Sequence, residues 1–158
     1  MGTFGFSYIG LLWLVMLFVP NLLWAKRRPE GYEGLERGEP KWLLVFERTG
    51  QVLCTCCALC FADLNPRELS PWTLILAVSF GLMILYDVCW YRYFAGPRTV
   101  SAFYADQFGI PVPLATLPVA AFFLLGVCGK LLWLILAAVI LGVGHIGIHL
   151  RHRKEVLG

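Results

Sequence analysis

The sequence predicts an all-α integral membrane protein: five transmembrane helices in a single bundle, with a short interfacial helix on the cytoplasmic side. Three observations carry this. Apolar residues make up 59% of the chain against 15% charged, with a mean hydropathy of +0.72, outside the balance of a soluble domain. Five stretches, residues 4–25, 41–62, 72–94, 110–128 and 131–150, approach the roughly 20 residues a helix needs to cross ~30 Å of hydrocarbon. The connections between them hold most of the Lys and Arg and are too short to form a second unit, so residues 1–158 read as one transmembrane domain.

The first stretch lacks a basic leading region and a small-residue cleavage site, and its basic run, Lys26, Arg27 and Arg28, follows the apolar part. It therefore reads as a retained helix rather than a signal peptide. Near its end Pro20 removes a backbone bond, and the amide of Asn21 is expected either to satisfy the freed carbonyls or to point into a polar cluster. Trp24 and Trp42, on either side of the first connection, read as interfacial belt residues. In that connection Glu30, Glu33, Glu36 and Glu39 recur every three residues, broken by Gly31, Gly34, Gly38 and Pro29, which favours a solvated ordered turn over a cation site.

The second stretch carries Glu47 and Arg48 side by side on a helix that begins near Lys41. A charge in hydrocarbon costs at least about 2.5–3.5 kcal/mol, so such residues face a bundle interior or wet cavity. Gly50 permits close approach of another helix. Cys54, Cys56, Cys57 and Cys60 give two overlapping CxxC spacings, but mid-helix in an apolar stretch they read as small packing hydrophobes rather than a redox pair.

Asn65, Pro66, Ser70 and Pro71 form a helix stop followed by a helix start. The third stretch ends in LYDVCWYRYF, which places Asp87 level with Arg48 and makes an Arg48–Asp87 ion pair an expectation. Tyr86 is the pocket candidate among its aromatics and Tyr93 a belt residue. Thr99 and Ser101 are potential caps for a short amphipathic segment with Phe103, Tyr104 and Phe108 along the membrane surface. Gly109, Pro111, Pro113 and Pro118 make the fourth stretch irregular or start it late, near Pro113. In the fifth, Ala138, Gly142, His145, His149 and His152 follow one helical stripe.

Ten of the thirteen basic residues fall in the connections after the first and third stretches and in the tail, whereas Arg67 and Lys130 lie opposite and Arg48 within the membrane. The positive-inside rule then puts the amino terminus outside and the carboxy terminus in the cytoplasm of a cell membrane. Basic residues so segregated are topology signals rather than a nucleic-acid footprint, and nucleic acid is excluded as a partner.

Asn21, Glu47, Arg48, Tyr86, Asp87, His145 and His149 are the candidate ligand-binding residues, brought to one depth by their helix positions. They suggest a protein that binds or transports a small polar or amphipathic solute through a cytoplasm-facing pocket. An alternative is a membrane enzyme on a lipid or isoprenoid head group, with His145 or Glu47 as general base and Arg48 holding an anion; a structural subunit is the third. His145 and His149 at i, i+4 can join Glu47 or Asp87 around a divalent metal, but without an HExxH or multi-histidine motif no metal is assigned. No Walker loop, GxSxG elbow or dinucleotide fingerprint names a cofactor. Five spans are few for alternating access in one chain, so the expected partners are membrane lipids, a small-molecule ligand and a second copy of the chain.

Overall fold

A computed structural model describes residues 2–66 and 70–158. Among these the chain is helical, with α1 at Tyr8–Ala25, α2 at Tyr32–Glu36, α3 at Lys41–Cys60, a 3-10 turn at Ala62–Leu64, α4 at Pro71–Ala95, α5 at Val100–Tyr104, α6 at Pro113–Cys128 and α7 at Leu132–Leu157. Arg67, assigned above to the outer side, lies outside the described residues. Four helices, α1, α3, α4 and α7, are long and apolar enough to cross a membrane.

The fourth expected stretch is shorter than its apolar run. Gln107 and Ile110 bridge each other in a tight loop and Val112 takes a left-handed backbone (φ 43°), so α6 starts only at Pro113. Its 16 residues reach about 24 Å at 1.5 Å per residue, below the ~30 Å of a bilayer core.

The end of the bundle where α1 begins and α3 stops is tied together by polar groups in the Asp63–Asn65 turn. Asn65 Oδ1 accepts from the amides of Tyr8 (3.0 Å) and Ile9 (3.4 Å), and its Nδ2 donates to the Phe6 carbonyl at 3.0 Å. These satisfy first-turn donors of α1 that have no partner within the helix, alongside the N-cap Ser7, whose Oγ accepts from Gly10 N at 2.9 Å. Asp63 receives the amide and hydroxyl of Thr3. The expected stop and start at Asn65–Pro71 are both present, with Ser70 capping α4.

Within the bundle α7 packs on α3 and α6, α4 packs on α6, and α1 leans on both α3 and α4. Hydrocarbon supplies no hydrophobic drive between helices, so close contact depends on small residues. A Cβ on Gly144 would lie 2.6 Å from the Leu43 carbonyl oxygen and closer still to Glu47 N, and one on Gly50 would lie 2.5 Å from Leu141 N. The antiparallel helices α3 and α7 therefore touch backbone to backbone along that seam. Near the Asp63–Asn65 turn Gly10 does the same for α1, 2.6 Å from the Ala58 carbonyl carbon. Inside, Ser79 of α4 accepts from Trp13 Nε1 at 3.0 Å and donates to the Ala121 carbonyl at 2.7 Å, joining α1, α4 and α6.

All six cysteines are free; of the four in α3, Cys54 and Cys57 are buried as packing residues, whereas Cys56 and Cys60 are exposed. The aromatic expectations need correction. Trp24 and Tyr93, read as belt residues, are 9% and 3% exposed and belong to the core, whereas Trp42 is exposed. Phe103 and Tyr104 of α5 do not lie along a surface but are buried, Phe103 stacking on Trp24 at 5.2 Å between centroids. The reason is α2, whose Tyr32 and Leu35 turn inward one helical turn apart, so that α2 and α5 together close one end of the bundle over these rings.

Candidate functional site

Beneath that cap lies a polar cleft of about 370 Å³ walled mainly by α1, α2, α3 and α7, with Trp90 of α4, Phe103 of α5 and Leu114 of α6 completing it. Its charged lining comprises Arg28, Arg48, Glu36, Glu39 and Glu47, with His145 and His149 beside them. Glu47 is held by the Gly144 contact directly against α7, where its Oε1 lies 2.6 Å from His145 Nδ1. Imidazole rings 145 and 149, one turn apart on α7, are 4.5 Å between centroids. His149 is 8% exposed and has no hydrogen-bond partner among the described residues.

A second, apolar cleft of about 510 Å³ continues toward the bundle middle, lined by residues such as Leu14, Leu17, Val52, Pro118 and Phe122. The two share Asn21, Gln51, Leu114 and His145. Phe18, Val52 and Cys56 on the apolar part are also exposed on the outer surfaces of α1 and α3. The cleft thus reaches the flank of the bundle, where α1 and α3 diverge below their contact at Gly10.

Asn21 stands at the junction. Its Nδ2 donates to the Leu17 carbonyl at 2.7 Å and to Tyr86 Oη at 2.5 Å. The carbonyl that Pro20 frees is that of Met16, four residues back, so the amide serves the cleft wall rather than the kink. Tyr86 is fully buried and lines the apolar part.

Of the seven sequence candidates, six line this double cleft and Asp87 does not. Asp87 faces a groove between α1 and α4 with Val15, Met16, Val19 and Pro20, and the ion pairs among the described residues do not include Arg48–Asp87. Equal depth sets the height of a residue but not its direction around the helix. Helices α3 and α4 lie apart, each against α1, so the two charges point to opposite sides of it.

Several lining residues escaped the sequence reading. Arg28 Nη1 bonds Glu36 Oε1 at 3.0 Å and its guanidinium lies 5.3 Å from the Trp24 ring centre. Tyr32 is also in the wall, its phenol pushed up to about 12 chiefly by burial. Tyr104 Oη and His152 Nδ1 are hydrogen-bonded at 2.8 Å, and His152 Nε2 lies 3.3 Å from Glu39 Oε1 but without hydrogen-bond geometry. The signal was present in the acidic spacing of three together with the apolar Tyr32 and Leu35, one turn apart.

Burial, then the neighbouring Glu47 and Glu36 carboxylates, raise the Glu39 carboxyl above its ordinary 4.5, with Arg48 opposing. A carboxyl whose folded value is raised binds its proton more tightly folded than unfolded, so its ionisation weakens the fold as pH rises above about 4.5. Glu39→Gln, which keeps the neutral form, is expected to raise the thermal midpoint in detergent at pH 7, with the gain shrinking as pH falls toward 4.5. Melting curves of both proteins across that range check it; a gain independent of pH would assign the effect elsewhere.

Comparison with protein-family models, with curated proteins and with solved structures returned no match.

Proposed function

We propose that the protein binds an amphipathic molecule from the bilayer, head group in the polar cleft and apolar portion beside Tyr86, Val52 and Phe122. The carrying observation is the continuity of the two clefts through Asn21, Gln51, Leu114 and His145. Sites for small molecules are concave, mostly apolar, and oriented by a few convergent polar groups, which is the division found here. In this reading α6 completes a five-span bundle in a cell membrane, the amino terminus lies outside, and the polar cleft faces the cytoplasm beneath α2 and α5. Support for that orientation is the bias of Lys and Arg toward this end, Arg28, Arg37, Arg151 and Arg153 among them. Transport would need a second copy or a further motion of the bundle.

The test is native mass spectrometry of the protein released from its own membrane. Wild type should retain one amphiphile per chain through detergent exchange. Thr55→Trp, which fills the apolar part, should reduce that occupancy at least about tenfold, a loss of ~1.4 kcal/mol. Equal occupancy in the variant, or none in wild type, would overturn the reading. Orientation is checked separately by a reporter fused after Lys154, expected to respond only to reagents in the cytoplasm. The His145–Glu47 hydrogen bond of 2.6 Å favours a second reading, in which His145 is a general base toward a bound head group. That reading expects His145→Gln to keep the amphiphile but lose its chemical conversion in membrane extracts.

A further inference from the structure

We infer that Glu47, His145 and His149 form a binding site for a divalent first-row transition cation, an assignment that does not depend on the identity or presence of the amphiphile. One donor atom from each of the three lies within 4.8 Å of the others. Ligand atoms around a tetrahedral Zn²⁺, with bonds of about 2.0–2.2 Å, stand roughly 3.3–3.6 Å apart, so side-chain rotations of about an ångström close the set. Two imidazoles and one carboxylate are the donor types such cations take, and calcium or magnesium, which prefer all-oxygen shells, fit poorly.

The backbone supports the arrangement. His145 and His149 sit one turn apart on a continuous helix, and Gly144 presses the Glu47 backbone against that helix so that its short side chain reaches the same point. His149 supplies the second, independent indication: an imidazole more than nine-tenths buried, in the cleft wall, with no hydrogen-bond partner among the described residues. Charge points the same way. Glu36, Glu39 and Glu47 outweigh Arg28 and Arg48 in the cleft, leaving net negative charge when the imidazoles are neutral.

Coordination needs neutral imidazole and ionised carboxylate donors, so binding is expected to weaken as pH falls. Three protein ligands leave a fourth position for water or another ligand, and Arg48 lines the same cleft.

The experiment titrates chelator-treated, tag-free protein in detergent with Co²⁺, whose visible absorption reports coordination. The chain has only three histidines, so nitrogen ligation is restricted to them. One equivalent should bind saturably with the bands of a four- or five-coordinate nitrogen–oxygen site and without the near-ultraviolet charge-transfer absorption of thiolate. Glu47→Gln, His145→Gln and His149→Gln should each weaken binding at least about tenfold, at the lower end of what losing even a supporting group costs. Asp87→Asn, in the separate groove, should leave it unchanged. No saturable binding, thiolate bands from the cysteines, or affinity unaltered by the three substitutions would overturn the assignment. If the substitutions prevent folding, the wild-type titration still decides through its stoichiometry and spectrum.

Discussion

Gly144→Ala is expected to destabilise the detergent-solubilised protein by about 1–3 kcal/mol, the usual cost of forcing an extra group into a packed contact. The added Cβ would meet the Leu43 carbonyl oxygen at 2.6 Å and Glu47 N closer still, so helix axes rather than a flexible side chain must move. Gly81→Ala provides the opposite sign in the same fold. Nothing lies within 4 Å of a Cβ there, and replacing a mid-helix glycine in open space by alanine should stabilise by about 0.5–1 kcal/mol. Thermal or denaturant unfolding in one detergent compares them. Equal shifts would show that helix propensity, and not the α3–α7 contact, governs both. Displacing α3 at this point also carries Glu47 away from His145, so Gly144→Ala should weaken ligand occupancy even where the protein remains folded.

Removing the Ser79 hydroxyl should be nearly as costly. Ser79→Ala leaves the Trp13 indole N–H without its acceptor and removes the second bond to the Ala121 carbonyl. Interhelical hydrogen bonds in membranes average only about 0.6 kcal/mol, because the separated helices find other partners. Here Ser79 and Trp13 are 0% and 2% exposed, so no lipid head group or water stands in, and a loss of about 1–3 kcal/mol is expected. Combining Ser79→Ala with Trp13→Phe isolates the bond. The double variant should lose less than the sum of the single losses; strict additivity would mean that the pair contributes nothing beyond packing.

The contrast between Ser79 and Asp87 shows why the site was only partly legible in one dimension. Asp87 drew notice because a carboxylate in an apolar run is costly, yet it lies in a flanking groove, whereas the unremarkable Ser79 joins three helices. Composition marks which residues need partners. It does not record direction around a helix once several helices of similar length must be arranged.

What the sequence alone determined is the helical membrane class, the presence of four long apolar helices, the helix start at Ser70–Pro71, and a polar end holding Glu47, Arg48, His145 and His149. These follow from local physics, namely apolar run length, helix-stopping proline and the expense of charge in hydrocarbon. The tertiary structure alone decided that Glu47 meets His145 while Arg48 and Asp87 stay apart, and that Trp24, Tyr32 and Phe103 turn inward to roof the cleft. It also shortened the fourth stretch to α6. For the helix pairings the physical reason is that neighbours are selected by where backbones can approach, at Gly10, Gly50 and Gly144, and that selection depends on pairs of residues far apart in the chain.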